Sequence, residues 1–80
     1  KSEKNVKDYR ELVSSMDILE YNLESMEATV KLRKHLYDKG MPIGLFDEMI
    51  AGICLAHNAT IVTRNVEHFK RVPGLKVEKW

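Results

Sequence analysis

Between Leu45 and His57 the chain reads LFDEMIAGICLAH, and the β-branched run Thr60-Ile61-Val62-Thr63 follows after only two residues. The first segment is almost wholly apolar, so a helix there predicts burial nearly all round. Its charged residues are Asp47 and Glu48, both at the beginning. The second segment predicts a short strand bounded by Asn58 and by the polar pair Arg64-Asn65. A buried helix running directly into a buried strand is an α/β unit, which favours crossover connections and a small, mostly parallel sheet.

The flanking sequence fits that order. Asn22 is a good helix cap, Glu24 suits the first turn, and Met26, Val30, Arg33 and Tyr37 recur at helical spacing until Gly40. Gly40-Met41-Pro42-Ile43-Gly44 connects this helix to the apolar one, because Pro42 pushes Met41 towards extended geometry. Gly52 weakens its helix intrinsically and predicts a close approach by another backbone, while Asn58 suits the left-handed turn that ends helices. Downstream, Pro73-Gly74 predicts a turn and Leu75-Lys76-Val77 a final strand closed by Trp80. Upstream, Val6, Tyr9, Leu12 and Val13 predict an amphipathic helix over Lys4–Ser14, and Met16–Tyr21 a short strand. Eighty residues make a single domain.

Several function classes are excluded or disfavoured by composition. Apolar residues at 44% and charged residues at 31% match a globular domain rather than a disordered tail. The longest nearly apolar run, Met49–Ala56, is too short to span a bilayer, and no secretory signal pattern begins the sequence; no membrane association and a cytoplasmic location are expected. The single cysteine, Cys54, sits among apolar neighbours and is expected to be a small buried hydrophobe. A net charge of +1 gives no global signature of nucleic-acid binding. Two local basic groups remain: Lys31, Arg33, Lys34 and Lys39 on the first long helix, expected to be chiefly a solvated face, and Arg64, Lys70 and Arg71 after the strand.

Asp47 is the residue with the most chemical promise. Helical spacing places it with Ile50, Ala51 and Cys54, away from an exposed side near Glu48. An acid in a first turn serves the helix dipole in many proteins, stabilising it by about 0.3–1 kcal/mol. The alternative is metal ligation: a carboxylate near the carboxyl edge of a parallel sheet, beside Thr63 and Asn65, offers hard oxygen ligands suited to Mg²⁺ or Mn²⁺. One carboxylate does not make such a site, because a metal-dependent phosphodiester hydrolase needs several oxygens around the ion. A zinc reading through Cys54, His57 and His68 lacks a second ligand pair, and His57 fits better as a dipole partner at a helix end. Neither a glycine-rich phosphate loop nor a nucleophile elbow is present.

The ordered set Gly40, Pro42-Ile43-Gly44, Asp47, Ile50-Ala51, Ala56-His57, Thr60 to Asn65, Phe69, Val72-Pro73-Gly74-Leu75 and Trp80 resembles the C-terminal half of VapC-type PIN-domain toxins, over residues Asn22 to Trp80. That resemblance implies a PIN-like three-layer α/β/α fold around a parallel sheet, with the N-terminal strand and helices missing, so that residues 1–80 form one partial domain. It implies an endoribonuclease of a toxin–antitoxin pair, dependent on Mg²⁺ or Mn²⁺, with RNA as substrate, a cognate antitoxin as partner, and a homodimeric state. Asp47 falls on one of the family's acidic metal ligands. Thr63 and Asn65 fall on supporting site positions, and Arg64 and Lys70 would lie near RNA phosphates. Two further family acids, one ending the opening strand and one on an early helix, belong to sequence preceding Lys1, so the 80-residue form alone is expected to be inactive. Another acid often occupies the position of Asn65 or of His68. The competing reading is a non-catalytic interaction module of the same fold, or an inactive fragment with an open sheet edge.

Overall fold

The computed structural model describes residues 19–80. The helix expected over Lys4–Ser14, and the Met16–Ile18 part of the expected strand, lie outside them. Leu19–Tyr21 are not in a strand. The Glu20 carbonyl instead accepts from His57 Nε2 at 3.1 Å, and the Tyr21 hydroxyl donates to Thr29 Oγ1 at 3.1 Å. These bonds tie the segment to the two long helices.

Helix α1 spans Leu23–Asp38. Asn22 caps it, its Oδ1 accepting from the Ser25 amide at 2.9 Å. The far end closes through Gly40 at φ +69°, with Met41 N–H donating to Leu36 O at 2.8 Å, so the reversal uses the left-handed glycine expected from sequence. Helix α2 spans Leu45–Ala56. It ends in the same way, with Asn58 at φ +53° and Ala59 N–H bonded to Cys54 O at 2.8 Å. Strand β1 (Thr60–Thr63), the short helix α3 (Val66–Phe69) and strand β2 (Lys76–Lys79) complete the order. β1 and β2 pair in parallel with Ile61 opposite Val77. Among the described residues the sheet has these two strands. Its α/β character and parallel pairing agree with the sequence expectation. The α3 turn was not anticipated, and the last strand lies one residue later than Leu75.

The helix faces are set by contacts that the apolar pattern does not show. The periodic set Met26, Val30 and Tyr37 on α1 points outward, and the buried residues are Ser25, Thr29, Leu32 and Leu36. Gly52 explains the inversion. A Cβ built there would lie 2.8 Å from the Ser25 carbonyl oxygen and would collide with Thr29 Oγ1. The helices cross so closely that small polar residues, with the Thr29 hydroxyl turned back onto Ser25 O at 2.8 Å, make the contact at this end. The larger Leu32 and Leu36 fill the interface farther along and join Ile43, Ala51, Phe69 and Val72 in the core, against which Leu55, Ile61, Leu75 and Val77 pack. The expectation that α2 is buried nearly all round fails: Leu45, Phe46 and Ile50 are exposed. Cys54 is buried as expected, and burial pushes its thiol pKa up. No helix among the described residues is long and apolar enough to cross a membrane.

Candidate functional site

Topology gathers the chemistry at one edge. In a parallel pair both strands end on the same side, so Arg64 and Asn65 after β1 lie at the same edge as Trp80 after β2; Trp80 N–H bonds Thr63 O at 3.1 Å. Helix α2 runs into β1 through a tight reversal, so its first turn, with Asp47, returns towards that edge. The carboxyl edge of a parallel sheet is where ligands bind in open α/β folds.

Asp47 and Glu48 exchange the roles expected of them. The Glu48 side chain is 0% exposed, whereas that of Asp47 is 40% exposed. Glu48 shares the buried face with Ala51 and Gly52, three and four residues further along the helix, and this face meets α1. There its Oε1 accepts from Arg33 Nη1. Arg33 Nη2 also donates to the Tyr37 hydroxyl at 3.0 Å, and its guanidinium carbon lies 4.7 Å from the Tyr37 ring centroid. Glu48 Oε2 is buried without a hydrogen-bond partner. Asp47 sits at the border of the buried face, with Ala51 and Cys54 inside and Ile50 outside.

That border position leaves Asp47 accessible and held. His68 Nε2 lies 2.8 Å from Asp47 Oδ2 and 3.0 Å from the Ile43 carbonyl oxygen. Both neighbours are acceptors, so Nε2 carries the proton and divides it between them. His68 stands on α3, packed edge-on against Phe69 with centroids 5.3 Å apart, and Phe69 is anchored in the core. The pair therefore fastens the first turn of α2 to the turn after β1. Sequence reading had placed His68 only as a replaced acid or a weak zinc ligand, and nothing in local spacing joins positions 47 and 68.

The other expected site residues are less directly engaged. Thr63 Oγ1 accepts from the Asn65 amide at 3.0 Å, a local turn bond at the end of β1. Asn65 stands at the N-cap of α3 but its side chain makes no capping bond. The Arg64 guanidinium carbon lies 4.6 Å from the Trp80 ring centroid. Lys70 is exposed and 3.7 Å from Glu67, a weak surface pair. On α1, Lys34 bonds Asp38 at 3.1 Å and Arg33 serves Glu48, so half of the first basic group is used within the protein. A groove of about 250 Å³ between Ala28, Lys31, Leu32, His35, Leu55 and Pro73 contains none of the expected site residues.

Among the described residues no three His, Cys, Asp or Glu side chains converge to hold a metal. Asp47 nonetheless fits as one ligand for a hard cation, because it offers a partly exposed, oriented carboxylate. Glu48 does not, since it turns inward to Arg33.

Comparison with known proteins shows the family. The chain is 33% identical over 78 residues to the tRNA(fMet)-specific endonuclease VapC of Salmonella typhimurium, covering 98% of the chain and 59% of that protein. It is 38% identical to the protein of the same name from Shigella flexneri and 36% identical to ribonuclease VapC2 of Rickettsia felis, over 98% and 100% of its length. The chain spans about three-fifths of each of these relatives. Its fold superposes on DNA-bound VapBC from Salmonella typhimurium with a TM-score of 0.85 at 33% identity, covering 98% of this chain and 59% of that one. With VapBC2 from Rickettsia felis, bound to a promoter DNA fragment, the TM-score is 0.86 at 36% identity, covering 100% and 60%. The PIN domain family model matches residues 1–75, and with a parallel sheet whose carboxyl edge carries Asp47, the chain belongs to the PIN-domain family.

Proposed function

We propose that the protein is part of a metal-dependent endoribonuclease toxin neutralised by a cognate antitoxin, with Asp47 as a ligand of Mg²⁺ or Mn²⁺. The observation that carries this reading is the Asp47 carboxylate, partly exposed at the carboxyl edge of the sheet and oriented by His68. A bound divalent cation would activate water and offset phosphate charge. The chain's own part is to hold one carboxylate at the edge, to fix its orientation through His68 and α3, and to present Arg64 and Lys70 to the RNA backbone. Thr63 shapes the turn that carries Asn65, whose side-chain carbonyl could ligate the ion or hold a water bound to it.

The names of the relatives support ribonuclease activity, and the solved relatives' VapBC assemblies support an antitoxin partner. Because no three acidic, histidine or cysteine side chains converge among the described residues, the 80-residue form by itself is expected to cleave RNA poorly. The test is an RNA-cleavage assay with Mg²⁺ on the intact protein beside its Asp47→Ala variant. Equal cleavage by both would end the proposal. Efficient cleavage by the 80-residue form would show instead that no ligand is missing from it.

A further inference from the structure

We infer that Trp80 and Arg64 form a stacking subsite for an unpaired base of single-stranded RNA. Trp80 is 76% exposed although it is the chain's sole tryptophan and its largest apolar side chain. The Arg64 guanidinium lies over one face of the indole at 4.6 Å from its centroid. Among the described residues Arg64 forms no ion pair, so its charge is not spent on a carboxylate. Stacking a cation on one face of an exposed indole is favourable, and it leaves a broad π surface open to water.

Two observations and one chemical argument favour a nucleic-acid base as the occupant. The Trp80 amide is bonded to Thr63 O, so the indole stands at the same sheet edge as Asn65 and the turn leading to His68 and Asp47. Between Arg64 and Trp80 five basic residues (Arg64, Lys70, Arg71, Lys76, Lys79) stand against Glu67 and Glu78, a net +3 where the whole chain carries +1. The charge of this segment suits a phosphate backbone, whereas the bare indole complements a base. A base inside a duplex has no free face to offer, so the subsite selects unpaired nucleotides, as aromatic and arginine platforms do. This deepens the ribonuclease reading and rests on it for the identity of the polymer.

Trp80 itself reports on the subsite. The intact protein is titrated in EDTA, where metal-dependent cleavage is off, with a short single-stranded RNA and with an abasic oligonucleotide of equal length and charge, and its Trp80→Phe variant isolates the signal of this indole. Indole fluorescence is followed, and anisotropy of a dye on the oligonucleotide gives affinity. The RNA should quench Trp80 and the abasic strand should not. Trp80→Ala should weaken RNA binding by roughly tenfold, within the range for loss of one stacked base, and Trp80→Phe should restore part of it. Arg64→Lys keeps the charge and loses the planar partner, so it should bind more weakly than the parent without changing the salt dependence. An unmoved indole, or equal affinity for the abasic strand, overturns the subsite. The cleavage reading fails separately: quenching that survives in Asp47→Ala, with cleavage by the intact protein unaffected by that change, sinks the metal role and leaves the stacking in place.

Discussion

Replacing Gly52 by alanine sets two effects of opposite sign against each other. In a helix interior the change favours alanine by about 1 kcal/mol. At this position the added methyl would stand 2.8 Å from Ser25 O and 3.1 Å from Thr29 Cβ, with Thr29 Oγ1 nearer still. Ser25 O is backbone and already accepts the Thr29 hydroxyl, so α1 itself must move to make room. Both residues are buried, Ser25 at 0% and Thr29 at 5%, and no rotamer change into solvent relieves the clash. Overpacking of this kind costs about 1–3 kcal/mol, and a backbone obstacle places it near the upper end. The net expectation is a loss of about 1–2 kcal/mol, a fall in Tm on the order of 10 °C for a domain of this size. Urea denaturation followed by far-UV circular dichroism measures it. A Thr29→Ala background should recover part of the loss, since the nearest atom is removed while Ser25 O stays, giving a coupling energy of about 0.5 kcal/mol or more. If Gly52→Ala is as stable as the parent, the helices do not approach this closely and the account of the α1 face is wrong.

Other expectations use the same measurement or metal binding. Asn22→Ala removes the acceptor for the Ser25 amide and should cost about 1 kcal/mol. Arg33→Met strands the buried Glu48 carboxylate; because Arg33 is 39% exposed, water softens the penalty to about 2 kcal/mol, and Arg33→Met/Glu48→Met should regain most of it. Burial raises the Cys54 thiol pKa above its ordinary value of 9.0. The folded state then holds its proton more tightly than the unfolded state, so this contribution is complete below pH 9 and falls as pH rises through the higher folded value; Cys54→Ala should flatten that alkaline slope. His68→Ala should weaken Mn²⁺ binding to the intact protein by roughly tenfold, as loss of a bond to a ligating carboxylate does, whereas His68→Gln, keeping an N–H donor, should weaken it less. Calorimetric titration with Mn²⁺ distinguishes the two, and equal affinities for all three proteins would remove His68 from the site.

What could be read from the sequence follows the range of the forces involved. Caps, breakers and strand propensity act over a few residues, and Asn22, Gly40, Asn58 and Thr60–Thr63 behave as their local chemistry dictates. Helix faces depend on what a helix meets. The spacing of Met26, Val30 and Tyr37 is as regular as that of Ser25, Thr29, Leu32 and Leu36, and apolar character does not single out the set that is buried. Gly52 does predict the close approach, and the structure bears it out; the step not taken from sequence is that small partners must stand opposite it. Position 47 is singled out by the ordered motif, whereas its tie to His68 requires α3, too short to declare itself by periodicity.

The adjacent acids of α2 show why the same residue type separates into two tasks. One step along a helix turns the side chain by about 100°, enough to carry Glu48 under α1 while Asp47 stays at the rim. Under α1, Glu48 Oε1 faces a guanidinium and its second oxygen is left unsatisfied, an arrangement whose desolvation cost makes it a poor source of stability. At the rim, Asp47 shares a single N–H with the Ile43 carbonyl and keeps water access, so its orientation is fixed while its charge remains available to a cation. A carboxylate that is to ligate a metal needs that combination. Burial as deep as that of Glu48 would close the approach, and full exposure would leave the rotamer unset. The chemical promise of this helix therefore lies in its least buried acid, because only there do a fixed geometry and an open path coincide.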